Sequence, residues 1–160
     1  MEALWINTFC DTTIDVFRTM FSIEAKPGTP RLKGTPYPTA DITGIIGFSG
    51  DAQGSISLSF PESTALKMVS VLFGTTMEKV DMEVADAIGE LANIVAGNAK
   101  KGVNGYRLSI SLPQVVIGKD HVLSVQSTIP IVVIPFSSPL GDFVVEFCLR
   151  KNETKSEVAS

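Results

Sequence analysis

An α+β fold, with a mixed or antiparallel sheet packed against long helices, is predicted for this chain of 160 residues. Three observations predict it. Two long segments, Ala3 to Phe21 and Asp81 to about Lys101, carry apolar residues at helical spacing. Asp41 to Phe48 and Gln53 to Phe60 alternate instead with the period of two that marks a half-buried strand. The elements run helix, strands, helices, strands, which suits an antiparallel sheet with helices beside it.

Each element has a local reason. In the first helix Leu4, Phe9, Ile14, Val16 and Phe17 form the apolar face, with Met20 and Phe21 near the end. Lys26 to Pro38 holds four prolines and two glycines. Proline has no N–H for a ladder, so this stretch reads as a loop or an irregular edge strand. In the next strands Ile56, Leu58 and Phe60 face one way and Ser55, Ser57 and Ser59 the other, with Ser49-Gly50-Asp51-Ala52 as the hairpin turn. Pro61 suits the entry of a short helix to Phe73, and Gly74 suits its C-terminal cap. Asp81 is placed to cap the second long helix, which Gly102 and Gly105 stop. Strands follow over Tyr106 to Leu112 and on through Ile117, then Val122 to Ile134, then Phe143 to Leu149. Residues 1–151 read as one domain and residues 152–160 as a polar, flexible tail.

The two long helices share a spacing. The first contains Asp11-x3-Asp15-x2-Arg18 and the second Asp86-x3-Glu90-x2-Asn93. The match points to a duplicated half-domain with pseudo-two-fold symmetry. Acidic residues one turn apart occur on many helices, so coincidence explains the match equally well.

Composition narrows the function classes. A net charge of −4 and the lack of a Lys/Arg cluster argue against nucleic-acid binding. Lys100-Lys101 fits a helix C-terminus, where cations suit the dipole. The longest apolar run, Ile129 to Phe136, is interrupted by prolines and is far short of the roughly 20 residues that span a bilayer. No signal peptide opens the chain, so a cytoplasmic protein is expected. Cys10 and Cys148 lie among apolar neighbours and read as buried free thiols, with a disulfide as the alternative that a chain of this size does not need.

Several chemistries lack their parts. The single histidine, His121, sits at a turn without partner ligands, so no metal site is expected. No Gly-x-Ser-x-Gly elbow and no Gly-rich phosphate loop is present. Asp86 and Glu90 as an acid/base pair would lie on an exposed face, without the desolvation that separates paired pKa values.

Glu90 with Asn93 remains. Each residue of a helix advances the side chain by about 100°. With Asp86 at zero, Asn93, Gly97 and Glu90 fall between about −20° and 40°, while Val84, Ile88, Leu91, Val95 and Ala99 gather between about 140° and 220°. A carboxylate and a carboxamide therefore share the face turned away from the core. A carboxamide can hold a water with one acceptor and two donors. A carboxylate one turn away can meet a lysine on a partner. That pair suggests chemistry performed inside a partner's site; an ordinary solvated helix face has the same pattern.

The run Gly89-Glu90-Leu91-Ala92-Asn93-Ile94-Val95-Ala96-Gly97-Asn98-Ala99 resembles the signature helix of the CheC/CheX/FliY family of CheY-P phosphatases. Asp86, Glu90 and Asn93 match that family's Asp/Ser-x3-Glu-x2-Asn motif. Pro113 stands near its following proline, somewhat closer than the usual spacing. The resemblance implies a pseudo-two-fold domain. Asp15 and Arg18 replace Glu and Asn in the first helix, and arginine offers no acceptor. One active helix makes the chain similar to the CheX-like branch, whose members resemble homodimers joined through the sheet, for which Ile129 to Phe136 is a candidate strand.

The activity so implied is hydrolysis of the phospho-aspartate of a CheY-like receiver domain. Glu90 and Asn93 would be its catalytic residues, and Asp86, Gly97 and Pro113 would contact the partner. The protein would need no cofactor of its own, the divalent metal (Mg) belonging to the receiver. A non-catalytic regulator-binding or flagellar-switch-like module is the alternative.

Overall fold

The computed structural model describes residues 3–35, 39–118 and 129–152. Helix α1 spans Ala3–Phe21, and two two-residue strands follow, β1 (Lys26–Pro27) and β2 (Arg31–Leu32). The hairpin of β3 (Ile42–Gly50) and β4 (Ala52–Phe60) leads into α2 (Glu62–Phe73) and α3 (Met82–Ala99), the last ending in one turn of 3-10 helix, Lys100–Gly102. Short strands β5 (Leu108–Ile110) and β6 (Gln114–Ile117) precede the hairpin of β7 (Val132–Ser137) and β8 (Phe143–Lys151). Among the described residues no helix is long and apolar enough to cross a membrane.

All described pairings are antiparallel, in the order β1-β7-β8-β4-β3-β5, with β2 also on β7 and β6 also on β3. Read outward from the central β4–β8 pair, each side has a hairpin partner and then two short edge strands. The first half contributes α1, β1–β2 and β3–β4; the second contributes α3, β5–β6 and β7–β8. Each half sends its edge strands to the other half's hairpin. This order is the pseudo-two-fold symmetry that the matched Asp11 and Asp86 spacings suggested, with α2 unmatched among the described residues.

The helices cover one face of the sheet. Ile42, Ile46, Ile56, Leu58, Phe60, Val145 and Phe147 point into that core and are all but inaccessible. Phe9 stacks on Phe147 at 4.4 Å between centroids, and Phe17 on Phe143 at 4.5 Å, fixing α1 over β8. Gly44 brings α3 against β3. A Cβ there would lie 3.0 Å from the Ile88 carbonyl oxygen and 3.1 Å from Ala92 Cβ, so a larger side chain would push the helix and strand apart by a few tenths of an ångström.

On the opposite face Ser57 and Ser59 do point away from the helices, yet both are buried. Lys33, Thr39 and Ala40, from the stretch between β2 and β3, make contacts on that face. The Ala40 N–H donates to Ser59 Oγ at 2.9 Å, and Lys33 Nζ meets Glu146 Oε2 at 2.7 Å with both side chains 6% exposed. Thr39 Oγ1 donates to the other Glu146 oxygen. Of the two readings of the proline-rich stretch, loop or irregular edge strand, the second holds for β1 and β2, which pair with β7, and the buried ion pair of Lys33 pins the chain just beyond them as a strap.

Two further boundaries differ from expectation. The strand expected to run on from Tyr106 through Ile117 breaks at Leu112-Pro113, because β5 and β6 each borrow strand geometry from β3. Asn152 is not loose: its N–H donates to Asp51 O at 2.8 Å and its side chain to Gly50 O at 2.9 Å. Most of the expected Val122–Ile134 strand, His121 and residues 153–160 lie outside the described residues. Cys10 and Cys148 are both free; Cys148 is buried, but Cys10 is only half-buried. Burial, with Asp11 adding, pushes the Cys10 thiol above its usual pKa.

Asp81 caps α3 as expected, accepting the Val84 N–H at 3.0 Å. Replacing it with alanine is expected to lower stability by about 1 kcal/mol, read as the shift in a urea unfolding midpoint at constant slope.

Candidate functional site

The site is built on α3, because nearly all of that helix is committed to packing. Val84, Ala85, Ile88, Gly89, Leu91, Ala92, Val95, Ala96 and Ala99 are buried. Asp86 and Glu90 are exposed, while Asn93 and Gly97 are half-buried. The predicted stripe is therefore present, one turn between each member, on a helix held from beneath by Gly44.

The structure also brings Pro113 to this stripe. A Cβ on Gly89 would lie 3.0 Å from Val115 Cγ2 and 3.4 Å from Pro113 Cβ. Glycine at 89 thus lets the β5–β6 connection close onto the helix flank beside Glu90 and Asn93. Gly97 has room above it, its nearest neighbour to a would-be Cβ being Ile110 Cδ1 at 3.9 Å. Around the helix axis Asn93 leans toward the Pro113 side, where Gly89 also lies, and Glu90 toward α1 and α2.

On that second side is a cavity of about 460 Å³, lined by Met20 of α1, Leu72 and Phe73 of α2, and Glu83, Asp86, Ala87, Glu90 and Leu91 of α3. On the first side Leu112 is 87% exposed next to Pro113. Neither this groove nor Leu112 was anticipated. The groove joins three helices distant in sequence, and Leu112 looked like one more apolar residue of a continuous strand.

Asp86, Glu90 and Asn93 make no side-chain hydrogen bond or ion pair with other described residues. The matching positions on α1 are occupied differently. Arg18 Nε meets Glu24 Oε1 at 2.6 Å and Nη2 meets Oε2 at 3.0 Å, while Nη1 reaches Asp15 Oδ1 at 3.3 Å. Hydrogen bonding to Arg18 holds the Glu24 carboxyl below the usual carboxylate range. A closed ion-pair cluster thus stands where a second water-holding pair would need to be. Among the described residues no three His, Cys, Asp or Glu side chains converge to hold a metal.

Fold and site together define an α+β domain, pseudo-two-fold in its sheet and carrying one open polar helix stripe. The family model described as chemotaxis phosphatase CheX matches residues 42–137. The curated CheY-P phosphatase CheX of Thermotoga maritima is 31% identical over 140 residues, covering 86% of this chain and 89% of that protein. The chain therefore belongs to the chemotaxis phosphatase CheX family. Solved structures agree. A CheC-like superfamily protein from Shewanella sp. PV-4 superposes with a TM-score of 0.84 at 37% identity, covering 94% of this chain and 99% of that one. The structure of a CheX–CheY–BeF3–Mg2+ complex from Borrelia burgdorferi matches with a TM-score of 0.78 at 28% identity, covering 92% and 98%.

Proposed function

We propose that this protein accelerates hydrolysis of the phospho-aspartate of a CheY-like receiver domain, with Asn93 orienting the attacking water and Glu90 pairing with a receiver lysine. The observation that carries the reading is the state of the α3 stripe. Glu90 and Asn93 sit one turn apart, turned from the core and without partners among the described residues, on a helix otherwise fixed by packing. Family membership supplies the reaction class, and the Borrelia complex shows a CheX with CheY, BeF3 and Mg2+ together. BeF3 stands in for a phosphoryl group, and the Mg2+ belongs to the receiver on this reading.

In the step so assigned, a water oxygen attacks phosphorus, the bond from phosphorus to the aspartyl oxygen breaks, and the aspartate leaves as carboxylate with inorganic phosphate. The Asn93 carbonyl accepts from the water while its N–H groups donate to phosphoryl oxygens. Positioning of this kind supplies rate without a covalent enzyme intermediate. Asp86, Gly97 and Pro113 frame the stripe as partner contacts, Gly97 by leaving space and Pro113 by walling one side.

The test is the decay of a phosphorylated CheY receiver with and without the protein; no acceleration would refute the proposal. Glu90→Ala is expected to raise KM about ten-fold or more through loss of a desolvated charge pair, with a smaller change in kcat. Unchanged KM would remove Glu90 from its assigned role. β7, which carries most of the Ile129–Phe136 candidate strand, is paired by β8 on one side and by β1 and β2 on the other, so a homodimer joined through the sheet would use the edges of β1–β2 or β5–β6 instead, which sedimentation analysis would test.

A further inference from the structure

On the reading above, in which α3 docks onto a phosphorylated receiver, we infer that the groove beside Glu90 takes an apolar side chain flanked by a Lys or Arg of that same receiver and thereby selects the partner. The groove has two chemistries. Its floor is apolar, made by Met20, Leu72, Phe73 and Leu91, and Phe73 is left 46% exposed. Its α3 rim carries Glu83, Asp86 and Glu90 within two turns, none of them in an ion pair with a described residue.

The helix dipole accounts for Glu83, in the first turn of α3, but fades before Asp86 and Glu90. Like charges one turn apart on a helix repel mildly, so the rim is favourable once a cation reaches it. A cation alone needs no apolar hollow of about 460 Å³, and an apolar side chain alone gains nothing from three carboxylates. A segment bearing both satisfies floor and rim together. Glu90 belongs both to the catalytic stripe and to the groove, so a receiver seated on the stripe necessarily covers the groove's mouth.

The test uses a CheY receiver that the wild-type protein dephosphorylates, with steady-state kinetics at several salt concentrations. Phe73→Ser is expected to raise KM about ten-fold at unchanged kcat, as loss of an apolar anchor does. Glu83→Gln, at an exposed position that leaves the fold intact, is expected to flatten the salt dependence of kcat/KM, because a rim charge acts on the encounter. Asn93→Ala, run in parallel, separates the two levels. Wild-type KM and salt slope in both groove variants, with turnover lost in Asn93→Ala, overturn the groove assignment and leave the proposed function standing. Wild-type turnover in Asn93→Ala overturns the proposed function, and affinity for the BeF3–Mg2+ receiver then still reports on the groove. A Phe73→Ser change in sedimentation with KM unmoved would assign the groove to a second copy of this chain and refute the inference.

Discussion

Asn93→Ala is expected to bring the decay of the phosphorylated receiver back to its unassisted rate, a loss of about 10²-fold or more in acceleration. The expectation follows from what the amide alone supplies. Alanine at 93 removes one acceptor and two donors and changes no residue that holds α3 in place. Asn93 makes no side-chain bond to a described residue, and its helix is anchored by the Asp81 cap, by Gly44 beneath and by Gly89 at the flank. Alanine has higher helix propensity than asparagine by up to about 0.7 kcal/mol. The variant should therefore melt no lower than the wild type and still bind the BeF3–Mg2+ receiver. Loss of kcat with folding and binding retained is the signature of a positioning group. Asn93→Asp sharpens the test. Aspartate keeps the acceptor, loses both donors and adds a negative charge facing a phosphoryl group, so it should be as inactive as alanine. Wild-type kcat in either variant would remove Asn93 from the reaction.

The candidate stripe was legible because it is local. Asp86, Glu90, Asn93 and Gly97 lie on one helix, where a fixed angle per residue turns spacing directly into a face. The bounds of α1 and the Asp81 cap followed for the same reason. What escaped was set by partners far along the chain. Leu112-Pro113 breaks an apparently continuous strand because β5 and β6 pair with different parts of β3. The groove exists only where Met20, Phe73 and Glu83 meet. Ser57 and Ser59 alternate as a solvent-facing row should, yet both are buried beside a strap whose prolines allowed an irregular edge strand but did not indicate β7 as its partner. The matched spacing of the two long helices hinted at duplication. It took the sheet order, with β4 beside β8 at the centre, to distinguish duplication from coincidence.

The strap carries the second large effect. Lys33→Ala is expected to destabilise the fold by about 3–5 kcal/mol, the cost of leaving one member of a buried ion pair without the other. The two groups are 113 residues apart, and each side chain is 6% exposed. Thr39 still donates one hydrogen bond to Glu146 after the substitution, but a hydroxyl does not neutralise the charge. At this chain length the loss corresponds to a melting point lower by roughly 10 °C. It should appear as a lower urea midpoint at unchanged slope if the unfolded state is unaltered. Truncating both partners separates the explanations. Lys33→Met with Glu146→Leu leaves no buried charge, and packed apolar replacements of a buried pair are often neutral or stabilising. The double variant should therefore recover most of the stability that Lys33→Ala loses. If it is instead as unstable as the single variant, the strap is held mainly by the shape of the Lys33 and Glu146 side chains and the edge pairing of β2, not by their charges. The α3 site lies on the opposite face of the sheet, so the double variant should keep its turnover of the phosphorylated receiver.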